Sequence, residues 1–85
     1  MKQINHVIRN KAGLHARPAG CFVNEVIKYY SEVTVRKNTI IVNGKNIMEV
    51  MALAAGYGDQ ITIQIDGVDE VPAFRSLTKF VNEHL

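Results

Sequence analysis

The chain has 85 residues, of which 47% are hydrophobic and 21% charged, and it carries a formal net charge of +2. That length suits one domain, residues 1–85, with a modest core, and the composition is that of a folded chain rather than a disordered one. So weak a positive balance gives no electrostatic grip on nucleic acid, which needs a clustered basic face.

Residues 3–8 alternate, with Ile4, His6 and Ile8 on one side, as in a half-buried strand. Asn10-Lys11-Ala12-Gly13 reads as a loop. From Ala16 the period lengthens: Ala19, Phe22, Val23, Val26, Ile27 and Tyr30 recur at helical spacing and form a stripe able to face a sheet. Tyr29 and Tyr30 are expected to pack. Val33–Arg36 and Ile40–Val42 are β-branched runs joined through Lys37-Asn38-Thr39, a hairpin in which Asn38 can turn left-handed. Asn43-Gly44 marks the exit from the third strand. Asn46 is a good N-cap for a short second helix that should end near Gly56 or Gly58, and Glu49 three residues on can close a capping box. Ile61–Asp66 is the cleanest strand, with Ile61, Ile63 and Ile65 facing in and Thr62, Gln64 and Asp66 facing out. A last helix starts near Asp69-Glu70, with Val71, Phe74, Leu77, Val81 and Leu85 as its buried stripe. The order β-α-β-β-α-β-α, with every element one-sided, predicts a two-layer α+β domain: a four-stranded antiparallel sheet with three helices on one face.

One cysteine, Cys21, cannot form an internal disulfide, and no Cys/His cluster has metal-ligand spacing, so neither a metal nor another cofactor is expected. Without a signal-peptide h-region or an apolar run near the ~20 residues of a membrane span, the expected setting is the cytoplasm, with no membrane insertion. The chemistry-bearing segment is Gly13-Leu14-His15-Ala16-Arg17-Pro18-Ala19-Gly20. His15 falls at the N-cap of the first helix, where the leading N–H groups have no intrahelical partner and the macrodipole makes an anion site. An uncharged imidazole there offers a nucleophilic lone pair. Arg17, two residues on, brings a planar fork of donors suited to phosphoryl oxygens. Pro18 costs little so early in a helix and stiffens the turn. His6 is expected to be a partly buried structural histidine, His84 to be exposed, and Cys21 to be a small helix residue.

The segment Gly-Leu-His-Ala-Arg-Pro-Ala at positions 13–19 resembles the active-centre signature of HPr, the histidine-containing phosphocarriers of the bacterial sugar phosphotransferase system. The resemblance continues through Lys45-Asn46-Ile47-Met48-Glu49-Val50-Met51, similar to the family's Lys-Ser-Ile-Met-Gly-Val-Met, and through Gly58–Ile63 and Gly67–Glu70. It implies an open-faced β-sandwich and a monomer. It also implies that His15 accepts phosphate from enzyme I and passes it to EIIA domains of sugar permeases. Ala16 and Arg17 would hold the phosphate, and Gly20, Lys28, Ile47, Met48 and Met51 would meet the partners, with Gly20 and Lys28 on the exposed side of the first helix. On this resemblance the protein is a component of a phosphotransfer chain working through a phosphohistidine, rather than a stand-alone enzyme.

Asn46 stands where many Gram-positive relatives carry a kinase-phosphorylated serine, so regulation through a phosphoserine is expected to be absent. Glu49 replaces a residue that is commonly neutral or basic; besides capping, its charge can weaken docking to an acidic partner. A second reading is an HPr paralogue acting mainly as a regulatory binding partner, like Crh. Crh-type proteins lose the acceptor histidine and keep the serine, the reverse of this chain. A ferredoxin-like RNA or metal module, the third reading, lacks here the paired stacking aromatics and the Cys-x-x-Cys it would need.

Overall fold

The computed structural model describes residues 1–85 and orders them as β1 (Lys2–Val7), α1 (Ala16–Val26), β2 (Glu32–Lys37), β3 (Ile40–Asn43), α2 (Ile47–Ala52), β4 (Gln60–Asp66) and α3 (Glu70–His84). The strands form one antiparallel sheet in the order β1-β4-β2-β3, and the α+β architecture is the anticipated one. Period-two alternation sets the register. Ile4 pairs with Ile63 and His6 with Ile61 on one side, and Val33 and Val35 pair with Ile65 and Ile63 on the other. These side chains share the face that packs against Phe22 and Val26 of α1 and Leu77 and Val81 of α3. Burying a side chain of this size is worth about 1.5–3 kcal/mol, so the central strand with its three sealed isoleucines is the main apolar anchor. Between β2 and β3, Asn38 takes φ 56, the left-handed turn expected of it.

Several expectations shift. Helix α1 stops at Val26, so Ile27 and Tyr30, expected on its buried stripe, are 55% and 87% exposed. The chain leaves the helix through i→i+3 bonds from Lys28 N–H to Glu25 O and from Tyr29 N–H to Val26 O. It is then drawn toward β2 by the Asp69 carboxylate, which accepts the Tyr30 and Ser31 N–H groups at 2.8 and 2.9 Å. Tyr29, not Tyr30, packs against the core. Helix α2 ends at Ala52, short of Gly56, because Ala54 turns left-handed at φ 55. Only half of the capping box forms. Asn46 Oδ1 accepts the Glu49 N–H at 3.1 Å, but the Glu49 carboxylate reaches back to the Asn43 N–H rather than to Asn46. Thr62 is buried instead of facing solvent, because β4 is a central strand; its hydroxyl donates to Asn5 Oδ1 at 2.9 Å. On α3 the buried line is Ala73, Leu77, Val81 and Leu85, spaced by four, and Val71 turns outward with 44% exposure. The small Ala73 was absent from the sequence reading of this stripe; with no side chain beyond Cβ it lets α3 lie close on the sheet.

Asp69 precedes α3 yet spends its carboxylate on the α1–β2 connection. The Ser31 hydroxyl first, then the Tyr30 N–H, hold its pKa below the ordinary 3.8. A carboxyl lowered by folding adds stability above its ordinary pKa and loses it as pH falls through the lowered value. Thermal melting of Asp69→Asn should therefore show a reduced Tm at neutral pH, with the gap to the parent protein closing as pH falls from the ordinary 3.8 through the lowered value. At Ala54 a Cβ occupies a position where helices usually place glycine. Ala54→Gly should stabilise the fold by about 0.5–1 kcal/mol, the left-handed penalty less the added backbone entropy, read as a raised urea midpoint at unchanged m-value.

Candidate functional site

The site is built by the loop that joins β1 to α1. Just past β1, Ile8 is buried, and its N–H donates to Asp59 O at 2.9 Å. Asn10 then organises a turn: its Oδ1 accepts the Ala12 N–H at 2.8 Å and its main-chain oxygen accepts the Gly13 N–H at 3.0 Å. Gly13 has φ 66, and a Cβ added there would lie 2.6 Å from Ala55 O. Leu14 follows, buried in the core, with its N–H on the same Ala55 oxygen at 2.8 Å. These contacts deliver His15 to the N-cap of α1 in extended conformation, φ −128 and ψ 150. The ring is exposed and makes no capping hydrogen bond. The first turn of α1 contains no acidic residue, so its leading N–H groups face outward without a protein counter-charge. Ala16 sits at φ 45, a left-handed conformation unusual for a residue with a Cβ and costing about 1–2 kcal/mol. Sequence periodicity carries no signal for this dihedral.

Arg17 is exposed and takes part in none of the ion pairs of the molecule. With Asn10, Pro18, Cys21, Phe80 and His84 it lines a groove of about 180 Å³ between the first turns of α1 and the last turn of α3. His15 and Arg17 thus lie together at one helix end, as their spacing anticipates. Asn10, Phe80 and His84 join that end only through the tertiary fold. For Asn10 the available signal was its Asx-turn preference. An exposed imidazole with a free ring nitrogen, beside uncompensated N–H donors and an unpaired guanidinium, can attack an electrophilic phosphorus and hold the resulting anion.

Next to it, Ile47 and Met48 of α2 are 41% and 74% exposed and Met51 is half-buried, whereas Val50 and Leu53 are core. Gly20 of α1 is half-buried against this patch, a Cβ there meeting Ile47 Cδ1 at 3.6 Å. Lys28 departs from expectation. It lies beyond the end of α1, at the end of that helix far from His15, and its Nζ pairs with Glu25 at 3.0 Å. The Ser76 hydroxyl first and Lys28 second hold the Glu25 carboxyl below its usual value. His6 is buried on the helix-covered face, while His84 and Cys21 are exposed. Nowhere do three His, Cys, Asp or Glu side chains converge as metal ligands would. No helix is long and apolar enough to cross a membrane.

Fold and site define a class: two-layer α+β proteins that present an uncapped histidine at a helix N-terminus. The chain belongs to the HPr family, its residues 2–83 matching the family model described as the PTS HPr component phosphorylation site. It is 46% identical over 82 residues to the phosphocarrier protein HPr of Neisseria meningitidis, covering 96% of this chain and 91% of that protein. The HPr-like protein Crh of Bacillus subtilis is 40% identical over 78 residues, covering 92% of each. The crystal structure of HPr-C-His from Thermoanaerobacter tengcongensis superposes with a TM-score of 0.94 at 37% identity, covering 99% of this chain and 94% of that one.

Gly13 combines a positive φ with backbone contact, so Gly13→Ala should destabilise the fold by about 2 kcal/mol or more in urea denaturation. Hydrogen exchange should be faster at Leu14, whose N–H shares the Ala55 oxygen that the new methyl would crowd.

Proposed function

We propose that this chain is a cytoplasmic phosphocarrier, active as a monomeric single domain, that accepts a phosphoryl group on His15 from phosphorylated enzyme I and donates it to EIIA domains of sugar permeases. The observation that carries this reading is the exposed, uncapped imidazole at the α1 N-terminus beside the unpaired Arg17. In the forward step the Nδ1 lone pair of His15 forms the new N–P bond. The N–P bond of the enzyme I phosphohistidine breaks, and its electron pair returns to that ring. The transition state is loose, so the carrier's work is positioning and charge compensation. Arg17 donates to the equatorial oxygens, and the main-chain N–H groups at the start of α1, from Ala16 on, add further donors. Because both donor and acceptor atoms are ring nitrogens, the step is reversible, as a shuttle requires.

The exposed Ile47 and Met48, with Met51 and Gly20 behind them, form the surface that would dock enzyme I and EIIA in small, transient interfaces. Methionine side chains adapt to differently shaped partners. Lys28 belongs at most to the outer rim of that surface. Asn46 carries no hydroxyl, so the carrier is taken to work without kinase-dependent phosphoserine control at this position. The identity to Crh keeps open a second reading, a regulatory binding partner, which requires no phosphoryl transfer at His15.

Incubation with enzyme I, magnesium and phosphoenolpyruvate separates the two. The carrier reading expects a mass gain of one phosphate that is acid-labile and absent in His15→Ala. Arg17→Ala should slow the gain about 10²-fold, the usual cost of losing a transition-state donor. No gain in the parent protein would favour the regulatory role.

A further inference from the structure

We propose that Asn10 is a positioning residue for His15, clamping the loop that carries the imidazole to the last turn of α3. This rests on His15 being the phosphoryl acceptor. Asn10 engages both ends of its side chain and both of its main-chain groups. Its Oδ1 accepts the Ala12 N–H at 2.8 Å, and its Nδ2 donates across the fold to His84 O at 3.0 Å. Its main-chain N–H donates to Leu85 O at 3.0 Å, and its main-chain oxygen accepts the Gly13 N–H. The neighbouring Arg9 repeats the attachment, Nη2 donating to Asn82 O at 2.9 Å. The His84 oxygen is one of the carbonyls that a helix end leaves unsatisfied, so the Asn10 amide replaces water there and ties two distant segments together.

The opposite side of the same loop is held by Leu14 N–H on Ala55 O. The four-residue link between Asn10 and His15 is therefore fixed at both margins, and it delivers the ring to the N-cap of α1, two residues before Arg17, which lines one groove with Asn10 and His84. Transfer needs the attacking nitrogen in line with the breaking bond, and small displacements of a reacting group are costly in rate. Removing the Asn10 side-chain bonds loosens the loop between Asn10 and His15, with the main-chain bonds to Leu85 O still in place, while leaving the Ile47–Met48 docking patch intact. The effect is thus directed to kcat rather than KM.

Two variants test this in the phosphoenolpyruvate and enzyme I assay, with carrier concentration varied to separate kcat from KM and rates scaled to the folded fraction measured by melting. Asn10→Ala loses both side-chain bonds. Asn10→Ser keeps an oxygen for the Ala12 N–H but is too short to reach His84 O. The expected result is a kcat lowered about tenfold in Asn10→Ala and several-fold in Asn10→Ser, with KM held within about twofold in both. A parental kcat in Asn10→Ser would overturn the clamp to α3, and a parental kcat per folded molecule in Asn10→Ala would overturn the positioning role altogether. If the parent protein takes up no phosphate while a control HPr does, the acceptor reading itself falls, and this inference with it.

Discussion

The structure turns on how the segment between β1 and α1 is held. On one side it hangs from Ala55 O, which accepts the Leu14 N–H and lies so near Gly13 that no Cβ fits. On the other it is tied to the closing turn of α3 through Arg9 and Asn10. Each bond is worth only about 1 kcal/mol net. Their joint effect is geometric: they over-determine a short path, and so sustain Ala16 in a left-handed conformation that an isolated alanine would leave.

The three helices of the chain start differently, and the contrast is chemical. Helix α2 is capped by Asn46 and carries Glu49 in its first turn, and α3 follows Asp69 and carries Glu70. Helix α1 has a histidine that makes no capping bond and no acidic residue in its first turn. A serine, aspartate or asparagine cap at that point would add about 1 kcal/mol. It would also fill the N–H groups that an arriving anion would need. Helix α3 also lacks a side-chain capping bond but keeps Glu70 in its first turn, so α1 is the one helix whose start has neither a cap nor an acid.

Around that helix end the surface divides by chemistry. Gly20 admits Ile47 into close contact with α1, one turn on from the helix start, so the apolar surface of α2 adjoins α1 there. Arg17 and His84 sit on the other flank, in the groove toward α3. A partner approaching His15 meets an adaptable apolar surface on one side and fixed polar groups on the other. The first suits recognition of several shapes, and the second suits holding one small anion.

Much of this is legible in the residues alone. Alternation in Ile4-His6-Ile8 and Ile61-Ile63-Ile65 specifies strands and their inward faces, because a one-residue slip would turn every apolar side chain outward. The position of His15 at a helix start, with Arg17 two residues on, follows from the change of period at Ala16 and from the motif around it. What local pattern does not contain is where helices stop and what distant backbone they meet. Asp69 ends the excursion after α1 from 39 residues away, and Asn10 reaches His84 across a separation of 74. The choice of Ala73 over Val71 as an inward residue of α3 depends on how closely the helix lies on the sheet. Sequence by itself determined the elements and the placing of His15 and Arg17 at one helix start, since those follow from short-range periodicity and side-chain chemistry. Tertiary structure alone decided the pinning of the loop between β1 and α1, since that requires hydrogen-bonding groups from opposite ends of the chain to be brought within 3 Å of one another.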